Sequence, residues 1–349
     1  MLDGVLVIDK PRDLTSHDVV AVARRALGER RIGHTGTLDP LATGVLPLAC
    51  GRATRLVRFL TASDKEYEAT IRFGLTTDSY DVTGMETGRS GLSPDRDAVA
   101  RALVELTGSY LQTPPAFSAK KIAGRRAYEM ARLRRVGSRS DPTSSADSSV
   151  RPADRHGAAG REDQAVALTP VPVTVTRAEL EWLDADVGRV RVTCSAGFYV
   201  RAFAQSLGEL VGTGACLEAL RRTRSGDFTL EKSVGLYRLL DQGGPAALTT
   251  LIPVASLLPG FPAVTVTSAG RDRVSHGQEV EGGMTAGAAS ASRVAARPDP
   301  SSAAWPVRDS GPASAPQEWV RLLDNSGYLI AMARAGSRPG FLHPAVVLI

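Results

Sequence analysis

The sequence predicts an α/β fold, α+β in stricter terms: a mixed, mostly antiparallel sheet with flanking helices, followed by a small β-rich domain. Three observations carry this. Residues 67–74 (YEATIRFG) alternate, with Tyr67, Ala69, Ile71 and Phe73 on one face and Glu68, Thr70 and Arg72 on the other. Ser16 precedes Val19, Val22, Ala23, Ala26 and Leu27, an N-cap followed by a helical apolar face. Residues 262–266, 318–323 and 327–333 are strand-like on both flanks of a polar stretch near the end of the chain.

The remaining elements follow in order. Residues 4–9 (GVLVID) form a short strand that Lys10-Pro11 ends. Residues 33–44 are rich in Gly and Thr and read as a loop. Residues 45–49 (VLPLA) read as a buried strand whose proline favours an edge or a bulge. Ser93-Pro94 opens a second helix, with Ala98, Val99, Ala102, Leu103 and Leu106 inside and Gly108 at its end. Residues 190–195 form a further strand, and 198–212 a helix with Val200, Phe203, Ala204, Leu207 and Val211 on one side.

Two segments break the pattern. Residues 138–165 have Val150 as their only sizeable apolar side chain, and 285–317 are rich in Ala, Ser, Pro and Gly. The first cannot bury enough surface to offset the entropy of ordering it and is expected to be a disordered insertion; the second, with Trp305 as an isolated exception, is expected to be a low-complexity insertion, a long loop inside one small β-rich domain. The expected division is a domain over 1–250 and a second over 262–349.

Composition narrows the function classes. Hydrophobic residues make up 43% and charged residues 23%, which fits a soluble globular protein. Cys50, Cys194 and Cys216 form no CxxC pair, and the five histidines are scattered, so neither a metal site nor a redox dithiol is expected. The N-terminus carries an early Asp and only a short apolar run, unlike a secretory signal, and no stretch is long enough to span a bilayer. A cytoplasmic protein is expected. The formal charge of +5 suits a polyanionic partner. Basic residues cluster at Arg24, Arg25, Arg30 and Arg31, at Arg52, Arg55 and Arg58, at Lys120, Lys121, Arg125 and Arg126, and at Arg221, Arg222 and Arg224. Each cluster alone reads as a solvated face; together they suggest phosphate contact.

The most informative stretch runs from Gly33 to Gly44 (GHTGTLDPLATG). Its three glycines permit tight turns and close approach to a ligand. One carboxylate, Asp39, stands among small and apolar neighbours and precedes Pro40, which biases it toward an extended or turn conformation. The segment has neither the Gly-Lys-Ser/Thr of a phosphate-binding loop nor the glycine spacing of a dinucleotide fingerprint. On these residues alone, a turn aspartate and a catalytic carboxylate both remain open.

This segment resembles the GHTGxLDPxAxG motif of the TruB family of pseudouridine synthases. The flanks Asp9-Lys10-Pro11 and Gly51-Arg52-Ala53-Thr54-Arg55 match as well, and further blocks follow in family order. Lys65-Glu66-Tyr67 resembles the K-x-Y block. Residues 74–81 (GLTTDSYD), 112–120 (QTPPAFSAK) and 124–132 (GRRAYEMAR) resemble three more. Residues 194–201 (CSAGFYVR) resemble C-S-x-G-x-Y-[IV]-R, and 220–223 (LRRT) the L-R-R-T strand. The likeness covers about residues 3–137 and 166–240 and leaves out both insertions. A weaker likeness to a PUA-type RNA-binding domain covers residues 262–349, through residues 275–280 (SHGQEV) and the closing strands.

The resemblance implies the pseudouridine synthase fold and the conversion of uridine 55 in the tRNA T-loop to pseudouridine, with the base flipped out and no guide RNA. That reaction breaks the N1–C1′ bond and rejoins the base through C5, so it calls for no cofactor and no metal. Asp39 is the implied catalytic carboxylate. Leu38 and Leu41 beside it would push it toward its neutral form, and a guanidinium would oppose that push; Arg201 is the family-matched candidate. Tyr67, on the apolar phase of its strand, reads as a core tyrosine, and the resemblance adds stacking on the uracil. His34 props the space left by the flipped base, Tyr199 lines the base pocket, and Lys10 is a further pocket candidate or a solvated strand end. Gly36, Thr37 and Leu38, beside Asp39, are assigned with them to substrate binding. The implied partner is the tRNA T-stem-loop, with no membrane and no obligatory protein partner, for a monomer. The alternatives are a non-catalytic tRNA-binding or folding protein and a guide-dependent rRNA pseudouridine synthase.

Overall fold

A computed structural model describes residues 2–116, 121–122, 125–126, 169–281 and 319–349. Both segments read as insertions, 138–165 and 285–317, lie outside the described residues, as do residues 117–120 and 127–132 of two motif blocks.

Among the described residues, eleven strands form the main sheet. Its central path runs from Ser233–Gly235 through Gly4–Lys10, Ala42–Cys50, Ala215–Ser225, Lys65–Phe73, Val187–Cys194 and Val171–Asp184 to Gly108–Gln112. Two pairings on this path are parallel, Gly4–Lys10 with Ser233–Gly235 and Ala42–Cys50 with Ala215–Ser225; the others are antiparallel. The mixed, mostly antiparallel sheet with flanking helices expected from the sequence is what the chain forms.

The two faces of the sheet are buried differently. Leu6 and Ile8 face a core shared with Val19, Val20 and Ala23 of the helix Ser16–Leu27 and with Phe203 and Leu207 of the helix Val200–Val211. Val5 and Val7 face a second core that includes Phe59, Trp319, Leu329 and Met332. This strand is covered on both sides, which is why it reads as a continuous apolar run and not as alternation. Lys65–Phe73 keeps its alternation because only Tyr67, Ala69, Ile71 and Phe73 enter the helix-side core. On its other face, Arg191 pairs with Glu66 at 3.3 Å, Glu68 at 2.9 Å and Glu181 at 2.6 Å.

Pro47 corrects one expectation. It sits in an internal strand, not at an edge, opposite Val7. On the other flank, residues 42–44 pair with 220–222 and residues 48–50 with 32–34. Pro47 lies in the gap between these two partners, where a missing N–H interrupts no ladder. The same pairing shortens the loop read over 33–44 to residues 35–41.

Two helix starts also shift. Thr15, not Ser16, caps Ser16–Leu27 and forms a capping box with Asp18. Asp95 caps Arg96–Glu105 by accepting from Ala98 N at 2.8 Å, so that helix begins after Ser93-Pro94.

The C-terminal β-rich unit is a five-stranded sheet in the order Ala263–Thr265, Val320–Leu323, Leu329–Ala335, Phe341–Val347, Val280–Glu281. Ser268–Ser275 packs on it as a helix, and Gly277 follows with φ +70°. Trp319 lies edge-on to Phe59 at 4.9 Å, and the Arg58 guanidinium stands 4.6 Å from the Trp319 ring.

Candidate active site

The loop over residues 35–41 is fixed at several points. The Ser16 hydroxyl accepts from Leu38 N at 2.8 Å and donates to Leu38 O at 3.1 Å. Asp13 N donates to Pro40 O at 2.8 Å, and Ala42 N donates to Asp39 O at 3.0 Å. Lys10 is fully buried, and its ammonium donates to Ala42 O at 2.6 Å, Pro11 O at 2.8 Å and Pro40 O at 3.4 Å. A solvated strand end does not describe it. Burial lowers the Lys10 ammonium to about 8, against the attraction of Asp39.

These contacts present Asp39 with its side chain 43% exposed, beside an Arg201 side chain that is 7% exposed. Arg201 Nε lies 3.0 Å from Asp39 Oδ2. Arg201 is the second residue of its helix, and Tyr199 is the N-cap. Gln112 holds that cap twice: Tyr199 N donates to Gln112 Oε1 at 2.8 Å, and Gln112 Nε2 donates to Tyr199 O at 3.1 Å. The other end of the guanidinium is anchored too. Arg201 Nη1 donates to Ser79 O at 3.1 Å and lies 3.6 Å from Asp81 Oδ2. Asp81 in turn accepts from Ser79 Oγ at 3.0 Å and from Thr83 N at 2.9 Å.

Tyr67 is buried, in register with Arg222 on one side and Val192 on the other. Burial pushes its hydroxyl upward; the charge and polar contact of Arg222 pull the other way. The half-buried His34 ring meets His17 edge-on, with ring centres 5.3 Å apart. Among the described residues its Nδ1 has no hydrogen-bond partner, and burial, with His17 and Arg222, lowers the imidazole to about 4. His34 is therefore neutral at neutral pH. Gly36 is half-buried, Thr37 is exposed and Leu38 is buried.

The structure thus joins Asp39 to Arg201 directly, and Tyr67 to the loop through Arg222. Sequence reasoning placed Arg222 in a basic surface cluster, and the structure corrects this: Arg222 is 1% exposed, with Nε donating to Val45 O at 2.7 Å and Nη2 to Gly36 O at 3.2 Å. A signal was available, since Arg222 stands two residues after the buried Leu220, on the inward phase of its strand. Asp81 closes the motif block 74–81, and nothing in its spacing reveals that it shares Arg201. Among the described residues no group of three or more His, Cys, Asp or Glu side chains could hold a metal ion.

Residues 24–148 match the TruB family pseudouridylate synthase N-terminal domain, and residues 201–252 match the tRNA pseudouridylate synthase B C-terminal domain. A protein of Solibacter usitatus named tRNA pseudouridine synthase B is 36% identical over 99% of this chain and 100% of its own length. The chain belongs to the TruB family of pseudouridylate synthases. It is an isomerase. A relative in Thermobifida fusca, also named tRNA pseudouridine synthase B, is 39% identical over 80% of this chain and 87% of its own. Among solved structures, a Cbf5-Nop10-Gar1 complex contains a chain similar to this one, with a TM-score of 0.64 at 21% identity over 99% of this chain and 85% of that one. The archaeal box H/ACA sRNP Nop10-Cbf5 complex gives 0.63 at 22% identity, over 99% and 86%. These likenesses place the TruB chain in the pseudouridine synthase fold. Among its described residues, no helix is long and apolar enough to cross a membrane.

Proposed function

We propose that this enzyme converts uridine 55 in the T-loop of tRNA to pseudouridine, with Asp39 as the essential carboxylate and without a guide RNA. The observation that carries the reading is the 3.0 Å pair between Arg201 Nε and Asp39 Oδ2, in which a nearly buried arginine holds a carboxylate that solvent still reaches. Relatives 36% and 39% identical and named tRNA pseudouridine synthase B support the substrate class.

In this reading the target base leaves the loop stack, at a cost of a few kcal/mol, and packs against the Tyr67 ring. A neutral His34 props the space it leaves. Asp39 adds to the base or to C1′, or stabilises a cationic sugar, while the N1–C1′ bond breaks. Arg201 aims that carboxylate, and Asp81 keeps Arg201 from turning away. Tyr199 and residues 36–38 line the pocket, and Lys10 serves it by tying down the backbone of residues 40–42. The uracil then turns and rejoins through C5. No step calls for a cofactor. The second domain, residues 262–349, is read as PUA-like and grips the tRNA beyond the T-loop, while residues 1–250 carry the chemistry. The protein is read as a cytoplasmic monomer that needs no protein partner.

The test is tritium release from a T-stem-loop RNA labelled at uracil C5. The wild type is expected to release tritium and Asp39→Asn to release none, with RNA binding retained by both. Binding without release by the wild type would instead favour a non-catalytic tRNA-binding protein.

A further inference from the structure

The sequence block that opens at Gln112 (QTPPAFSAK) is left without a task by the chemistry above. Gln112 closes the strand Gly108–Gln112 at one end of the main sheet, in register with Val171. Its side chain is buried, and both ends of its carboxamide go to Tyr199, 87 residues away. Tyr199 N donates to Gln112 Oε1 at 2.8 Å, and Gln112 Nε2 donates to Tyr199 O at 3.1 Å. Because a backbone N–H only donates and a carbonyl only accepts, Tyr199 dictates which end of the amide faces which group. Tyr199 O also accepts the first helical bond, from Phe203 N at 3.1 Å.

This helix start calls for an outside hold. A tyrosine at the N-cap position has no oxygen within reach of the first-turn N–H groups, and Tyr199 makes no side-chain cap. The chain arrives from the strand Val187–Cys194 through Ser195. There Ser195 N donates to Thr174 O at 2.8 Å, and Thr174 N donates to Ser195 Oγ at 2.9 Å. It then turns at Gly197, with φ +84°. Gln112 grips it after that turn, at Tyr199, two residues before Arg201. Arg201 has to place Nε 3.0 Å from Asp39 Oδ2 and Nη1 3.1 Å from Ser79 O, and a shift of the helix start moves both atoms. A misplacement of about 1 Å in a group that serves the chemistry can cost about 10²-fold in rate.

We propose that Gln112 is a positioning residue of the reaction: its carboxamide, fastened to both backbone polar groups of Tyr199, sets the start of the Arg201 helix and through Arg201 the Asp39 carboxylate. This rests on the pseudouridylation proposed above. The influence of Gln112 passes through Tyr199 and Arg201, so it should act on turnover and not on RNA affinity.

The experiment compares wild type, Gln112→Met, Gln112→Asn, Arg201→Lys and the double variant Gln112→Met/Arg201→Lys. Methionine keeps the length and removes both hydrogen bonds; asparagine keeps the amide and shortens its reach. Each is measured by tritium release at saturating T-stem-loop RNA, by filter binding of the same RNA, and by the NMR signal of the Arg201 Nε–H, assigned by its loss in Arg201→Lys. Thermal unfolding sets a temperature at which the compared variants are folded. Gln112→Met is expected to lower kcat about 10²-fold and Gln112→Asn about 10-fold, with RNA affinity within about twofold of wild type. In the Arg201→Lys background, Gln112→Met should cost little further, because the group it positions is gone. The Arg201 Nε–H signal should move in both Gln112 variants toward that of a solvated arginine.

Full kcat in a folded Gln112→Met, an unmoved Arg201 signal, or losses that multiply with that of Arg201→Lys overturns the proposal and leaves Gln112 a residue of the fold alone. If Gln112→Met does not fold, Gln112→Asn decides by kcat and the Arg201 signal, and failure of both to fold also overturns the proposal. A wild type that releases no tritium, in a protein whose Arg201 signal still moves on Gln112→Met, overturns the functional reading while supporting the hold of Gln112 on Arg201.

Discussion

Ser16 and Leu38 exchange two hydrogen bonds, Leu38 N to Ser16 Oγ at 2.8 Å and Ser16 Oγ to Leu38 O at 3.1 Å. One hydroxyl at the start of a helix therefore satisfies both backbone groups of the residue before Asp39. Because both groups are buried, Ser16→Ala should cost about 1–3 kcal/mol and release Asp39 from its setting. Thr15→Ala removes only the cap and should cost about 1 kcal/mol with turnover unchanged. Urea unfolding and tritium release, measured on both variants, separate the two effects; equal turnover in both would show that the Leu38 tie does not govern Asp39.

Arg201 carries Asp39 and Asp81 on one planar guanidinium. Lysine supplies a point charge and cannot span both. Arg201→Lys is expected to lower turnover at least 10²-fold, in the range of a lost electrostatic donor, with tRNA binding little changed. Arg201→Met should also destabilise the fold by about 3–5 kcal/mol, because it strands the buried Asp81 carboxylate. Unchanged stability in Arg201→Met would mean that Asp81 finds another partner.

The pH dependence of stability has a defined sign at His34. Its imidazole titrates at about 4 in the folded protein, against an ordinary 6.5, mainly through burial. Between these values the unfolded chain binds a proton that the folded one refuses. The neutral ring's contribution is thus complete above pH 6.5 and is lost as pH falls toward 4. It amounts to roughly 2 kcal/mol once partial exposure is allowed for. Urea titrations between these limits should show a shallower decline for His34→Gln than for the wild type; identical slopes would place the imidazole in a more open setting.

Trp319 joins the C-terminal sheet to the main one through Phe59 and Arg58. Trp319→Ala should cost about 3–5 kcal/mol. If the second unit grips tRNA, affinity should fall more than turnover at saturating RNA. Filter binding and saturation kinetics read the two apart, and a loss confined to turnover would argue against that role for the second unit.

Much of the main sheet was legible because its inner residues obey simple periodicities. Tyr67 points inward as alternation requires, and Ser16–Leu27 buries Val19 and Ala23 as helical spacing requires. Asp39 stood out as a carboxylate in a glycine-rich loop, and the family likeness supplied Arg201 as its partner. What periodicity could not reveal is which of two possible jobs a polar group takes. Ser16 reads as a cap from its position, yet its hydroxyl is taken by a loop 22 residues away. Arg222 reads as surface charge from its neighbours, yet its strand has a covered face. Pro47 reads as an edge residue because the change of partners beside it is a fact of topology alone.

The strand Ala215–Ser225 lies between two strands that the chain completes much earlier, Ala42–Cys50 and Lys65–Phe73. As the polypeptide leaves the ribosome, those two must wait with open hydrogen-bonding edges until a distant segment threads between them. Asp39, Tyr67 and Arg201 can already have emerged while the frame that aligns them does not yet exist. Assembly of the site is therefore a late event of synthesis, and truncation before residue 225 removes the centre of the sheet and not merely its margin.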